Sequence, residues 1–114
     1  MIAVIVEVEP HPEHKQQYLD IAASLRPQLE KIDGFISIER FQSLTDETKI
    51  LSLSFFRDEQ AIKDWRTLQS HREAQSKGRE NIFRDYRIRI ASVMRDYGLN
   101  ERDEAPGDSK EIDK

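Results

Sequence analysis

The chain has no cysteine. That absence excludes disulfides, thiolate metal sites, iron–sulfur clusters and thiol catalysis together. The four glycines stand singly along the sequence, so the familiar phosphate-cradling loops are missing, and nucleotide or flavin binding through them is not expected. No apolar run approaches the roughly 20 residues that cross a bilayer, and charged side chains make up 35% of the chain. The first residues enter a strand-like run directly, without the basic stretch and apolar core of a secretion signal. A cytoplasmic protein without membrane contact is the expectation. Histidine is also scarce. His11 and His14 are three apart and only His71 is added elsewhere, which falls short of a tetrahedral ligand set, so no metal site is expected. Charge of one sign is lacking over most of the length. Seven acids and three bases from Asp96 onward account for the whole formal charge of -4. The neutral body offers no general attraction for nucleic acid or anionic membranes.

What is present is a strong alternation of strand and helix patterns. Ile2 to Glu9 is rich in β-branched residues and places Ile2, Val4, Val6 and Val8 on one face. Pro10 ends it. His11-Pro12-Glu13 reads as a helix start, followed by Tyr18, Ile21, Ala22, Leu25, Leu29 and Ile32 at helical spacing. Pro27 within that stripe should kink the helix or split off its last turn. Asp33-Gly34 closes it with a left-handed cap. Phe35 to Ser43 and Lys49 to Phe56 then form a hairpin around a polar turn, and Ser52 and Ser54 give the second strand a less apolar face. Asp58 caps a second helix carrying Ala61, Ile62, Trp65 and Leu68. Ser70-His71-Arg72-Glu73 fits a capping box, which predicts a break near Gln69 or Ser70 and a short new helix ending near Gly78. Tyr86 to Met94 is the last strand, with Tyr86, Ile88, Ile90 and Met94 opposite Arg87, Arg89 and Arg95.

The order βαββαβ predicts a ferredoxin-like α+β sandwich with an antiparallel sheet over residues 1–97. Residues 98–114 form an acidic tail with little to bury, expected to be mobile or to wrap a partner. Each helix has one apolar stripe, so both must cover the same sheet face. Yet Ala3 and Ile5 lie opposite Val4 and Val6, and Ala91 and Val93 opposite Ile90 and Met94. A second apolar face predicts an interface, most simply a two-fold homodimer with sheets face to face.

Gly34-Phe35, Glu39-Arg40-Phe41, the aromatic end of the third strand, Trp65-Arg66, His71 and Gln75 together resemble the antibiotic-biosynthesis-monooxygenase family over roughly residues 2–95. The resemblance implies a dimeric α+β barrel with a pocket between sheet and helices in each subunit. It also implies a cofactor-independent monooxygenase acting on a small aromatic or quinol-like molecule with O₂. The alternatives are a non-catalytic dimeric domain holding a small apolar ligand, and a haem-binding or haem-degrading protein. The haem-degrading branch uses an asparagine late in strand one, a tryptophan in helix two and a histidine ten residues further on. Trp65 matches, but Gln75 stands at the histidine position and Glu7 in the asparagine region. Losing the iron ligand removes the main reason to bind haem in that way.

Five residues are the candidate site. Trp65 reads first as a core anchor and second as a pocket wall that stacks a planar ring. His71 and Gln75, four apart, share a helix face. If that face meets the pocket, His71 takes a phenolic proton and Gln75 orients an oxygen; otherwise His71 is an exposed first-turn residue with no role. Arg87 and Arg89 read as dimer-face ion pairs with Glu7 or Glu39, or as substrate-binding groups against a carboxylate or phenolate.

Overall fold

The computed structural model describes residues 1–75 and 82–107, with the side chains of 70–75 excepted. Its elements are β1 (Ile2–Pro10), α1 (Lys15–Glu30), β2 (Phe35–Gln42), β3 (Ile50–Phe56), α2 (Glu59–Gln75) and β4 (Phe83–Ser92). The strands pair antiparallel in the order β2-β3-β1-β4. This is the expected ferredoxin-like layout, with the β-branched first strand in the interior of the sheet. The described part of the tail turns back on itself: Gly98 N donates to the Glu101 carbonyl at 2.8 Å and Ala105 N to that of Arg102 at 3.0 Å. Gly107 is the last residue described, so the remainder of the tail lies outside the described residues.

Local chemistry accounts for the boundaries. Pro12–His14 makes one tight 3-10 turn before α1 proper begins at Lys15. Pro27 is carried inside α1. It removes the hydrogen bond to the Ala23 carbonyl at a turn where both residues are exposed. The last turn is closed by Lys31 N to Gln28 O at 3.3 Å and Ile32 N to Leu29 O at 3.0 Å. Gly34 follows with φ +93°, and a Cβ there would lie 3.0 Å from that of Ala61. Glycine is required on both counts. Arg57 N donates to the Gly34 carbonyl at 2.7 Å, and the Arg57 guanidinium grips Asp33 at 3.1 Å and Asp58 at 3.0 Å.

Asp58 caps α2 as expected, its Oδ1 accepting from Ala61 N at 3.0 Å. The predicted break near Ser70 does not occur, since α2 runs unbroken from Glu59 to Gln75. A serine inside a formed helix costs only about half a kcal/mol relative to alanine. The capping box gains nothing where N–H groups already have partners four residues back. The proposed end near Gly78 lies outside the described residues. β4 starts at Phe83, earlier than Tyr86, and stops at Ser92, short of Met94. Its partner sets both limits: Pro10 of β1 faces Phe83 and Ile2 faces Ser92. After one more bond, Val93 N to Met1 O, the ladder has no further partner on β1. Met94 and Arg95 therefore lie beyond the strand.

The core is one layer between helices and sheet. Val4, Leu29, Ile38, Phe56, Ala61, Ile62 and Trp65 form one cluster, and Val8, Tyr18 and Ile50 a second. Val6 packs against both. The register divides the sheet into a helix side, with rows Ile38-Ser54-Val4-Ile90 and Arg40-Ser52-Val6-Ile88, and an open side. The open side carries Glu39-Leu53-Ile5-Arg89 and Phe41-Leu51-Glu7-Arg87.

Candidate functional site

On β3 the alternation resolves in an unusual sense. Ser52 and Ser54, 7% and 3% exposed, face the helices, whereas Leu51, Leu53 and Phe55 face the open side. Two small side chains thus occupy the floor of the layer where leucine-sized residues would ordinarily fill it. Neither hydroxyl has a hydrogen-bond partner among the described residues. The floor continues across β1 to β4, where the helix-side residues Tyr86, Ile88 and Ile90 are 59%, 45% and 39% exposed. The helix side is covered over β3 and β1 and open only along β4, whose exposed apolar strip forms a shallow trough at the edge of the helix layer. Tyr18 and Phe83 close one end with rings edge to face at 5.5 Å, and Phe83 continues to Tyr86 at 6.1 Å.

Trp65 is 6% exposed and packs with Val4 and Ile38, the residues that flank Ser54 across the strands. It is a core anchor. His71 and Gln75 lie on the last two turns of α2, beyond Leu68, and their side chains lie outside the described residues. Because α2 is continuous, Leu68, His71 and Gln75 follow one stripe at spacings of three and four.

Arg87 and Arg89 are on the open side, separated from Trp65 by the sheet itself. Arg89 bonds the Glu7 carboxylate at 2.5 Å, one diagonal step from the directly facing Arg87. This bond holds the Glu7 carboxyl below the usual carboxylate range. A shallow depression of about 90 Å³ beside them is lined by Glu7, Glu9, Lys49, Asp85, Tyr86 and Arg87, whose mixed charges suit it poorly to an apolar guest.

One further pair on the helix side escaped the sequence reading. Arg40 of β2 is half-buried and its Nε–H donates to the Tyr18 hydroxyl at 3.4 Å. The register that sets Arg40 beside Ser52 was the missing information; the Glu39-Arg40-Phe41 run alone does not say which residue faces the helices.

The fold is shared with solved structures of low sequence identity. The Mycobacterium tuberculosis protein Rv0793 matches with a TM-score of 0.71 at 15% identity, covering 85% of this chain and 98% of that one. The haem degrader MhuD of the same organism matches with a TM-score of 0.64 at 14% identity, covering 86% and 100%. These likenesses define the architectural class alone. The family follows from sequence: residues 1–77 match the model for antibiotic biosynthesis monooxygenase, and the chain belongs to that family. It is 48% identical over 101 residues to the jasmonate monooxygenase ABM of Pyricularia oryzae, covering 89% of this chain and 47% of that protein. The chain thus spans about half the length of that relative.

The residues present do not fit the haem arrangement that the resemblance implies. Gln75 replaces the histidine, and Glu7 is on the open side, bonded to Arg89 and turned away from the helices.

Proposed function

We propose that this chain is a monooxygenase that acts with O₂, without flavin or metal, on a small aromatic or quinol-like molecule lying in the helix-side trough. The observation that carries the reading is the exposed apolar strip of Ile88 and Ile90 on the helix side of β4, in a chain of a monooxygenase family. An acidic ring methylene supplies all the electrons the reaction needs: a CH₂ group and O₂ become a carbonyl and water. The protein has only to bind the ring, remove its proton and exclude competing solvent. His71 is the base in this reading, and Gln75 orients the oxygen. Both sit on the α2 stripe that Leu68 begins, with Trp65 supporting the ring. Two copies joined through the open sheet faces form the working unit.

The name of the Pyricularia relative raises a cyclopentanone acid as a second substrate. Hydroxylating an unactivated C–H bond with O₂ consumes two additional electrons and two protons, so that reaction requires an outside reductant. An oxygen electrode separates the two. Anthrones and hydroquinones should drive uptake alone, and jasmonate only with NADPH or another donor. His71→Ala should lower the rate about a hundredfold or more. No uptake under any condition, with ligands still raising the melting temperature, would leave a binding module and end the oxygenase reading.

A further inference from the structure

We infer that Tyr86 is the residue that recognises the substrate on the β4 strip: its ring carries one face of a flat aromatic guest, and its hydroxyl donates to an oxygen on that guest. The inference rests on the strip being the substrate site, as proposed above, and adds the side chain that selects what lies there.

Exposure and fixation are combined at this residue. Tyr86 is 59% exposed, the most open of the helix-side residues Tyr86, Ile88 and Ile90. An exposed tyrosine on an edge strand ordinarily keeps its rotamer freedom. Here the ring meets that of Phe83 at 6.1 Å, and Phe83 meets Tyr18 at 5.5 Å. Tyr18 is itself 4% exposed and packed with Val8 and Ile50. The Tyr86 N–H donates to Asp85 Oδ1 at 2.8 Å, which ties the backbone at the edge of the sheet. Tyr86 is thus the outer ring of a series rooted in the core, supported on one side and bare over most of the rest. A ring held in place before binding loses little freedom when a guest stacks on it.

Its level along the sheet matters as much. Val4 faces Ile90 and Val8 faces Tyr86, so the strip runs four residues, roughly 14 Å, from the first core cluster to the second. Helix α2 travels the same way. It starts over the Ile2 end of β1, where Phe56 pairs with Ile2 and Ala61 approaches Gly34, and reaches Val4 at Trp65. At a rise of about 1.5 Å per residue, the backbone of His71 lies about 9 Å beyond Trp65 and that of Gln75 about 15 Å beyond it. Tyr86 therefore stands level with the helical turns that carry the base and the oxygen-orienting group of the reading above. Of the three strip residues it alone has a polar side-chain group; Ile88 and Ile90 offer apolar contact to the remainder of the guest. Two or three fused rings fit that length, with the oxygenated ring at the Tyr86 end.

The test titrates three probes of similar size calorimetrically into the full chain: 2-naphthol, naphthalene, which lacks the oxygen, and 2-decalol, which keeps the oxygen but is not flat. Wild type should bind 2-naphthol about threefold or more tighter than naphthalene, the range of one net hydrogen bond. It should prefer 2-naphthol to 2-decalol by about threefold or more as well, the range of one aromatic pair. Tyr86→Phe should lose the first preference and keep the affinity for naphthalene. Tyr86→Leu should lose both and leave 2-decalol binding within about twofold of that of Tyr86→Phe. Tyr97→Leu, at an exposed tyrosine beyond β4, is the control and should change nothing. Because Tyr86 is exposed, both of its variants should melt within a few degrees of wild type. Equal affinity for all three probes, binding of none, or preferences that survive Tyr86→Leu each overturn the assignment. Oxygen uptake with anthrone is read separately. Probe preferences without uptake remove the oxygenase reading alone, and uptake whose KM is unmoved by Tyr86→Leu removes the role of Tyr86 alone.

Discussion

Asp58 joins two jobs in one carboxylate. Its Oδ1 takes the free N–H of Ala61 at the start of α2, and its Oδ2 takes the Nε–H of Arg57. Both favour the charged form, the Ala61 bond most, so the carboxyl titrates below its ordinary range. The same holds for Asp46, bonded by the Thr48 hydroxyl and N–H in the hairpin turn, and for Glu7 beside Arg89. In each case the folded state holds its proton less tightly than the unfolded chain. Their contribution to stability is therefore complete above the unfolded carboxylate range, near about pH 4, and is lost as pH falls through the lower folded values. Asp58→Asn isolates one member, because asparagine caps a helix about as well but does not ionise. Its melting temperature should lie a few degrees below wild type at pH 7 and meet the wild-type curve in strong acid. A constant gap across pH would show that the charge contributes nothing.

At the scale of elements, β3 decides what the helix layer can hold. Alternation in Leu51-Ser52-Leu53-Ser54-Phe55 was plain in the sequence, and so was the existence of two faces. Which face meets the helices was not, since apolar residues ordinarily go to the core and here they turn outward. The same limit hid Arg40, whose facing depends on a register shift between Phe35 and Ser37. Patterns that close locally were legible: the Asp33-Gly34 turn, the Asp58 cap and the hairpin about Asp46. Ser70-His71-Arg72-Glu73 misled because a capping motif acts only where the preceding residues are not already helical. The small, buried floor of β3 makes a prediction. Ser52→Leu should lower stability by about 1–3 kcal/mol in chemical denaturation, because Ser52 is buried and the added methyl groups overpack the layer. It should also reduce ligand affinity or oxygen uptake at least tenfold. A stability equal to wild type would instead mean that the position has room to spare.

The outward leucines matter most at the scale of the whole molecule. Ile5, Leu51, Leu53, Phe55 and Phe41 form an apolar centre on the open face, and Phe41 is 43% exposed. The Glu7–Arg89 pair satisfies its own charges within the sheet at the border of that centre. Such a face has the anatomy of an interface, apolar in the middle and charged toward the rim. A two-fold axis through it would set the apolar centres against each other, with Glu39 and Arg87, which have no ion pair among the described residues, at the margins of the face. The seeming defect of β3, serines inward and leucines outward, then has one cause: the strand leaves room for Trp65 toward the helices and supplies contact toward a second copy. Light scattering at micromolar concentration should give twice the 13.4 kDa chain mass, and the melting temperature should rise with protein concentration as mass action requires. Leu53→Arg sets two guanidinium groups near the axis beside Arg89, and should yield a monomer whose melting temperature no longer depends on concentration. A wild-type chain that runs as a monomer, or a variant that still doubles its mass, would place the interface elsewhere and leave the outward leucines without this explanation.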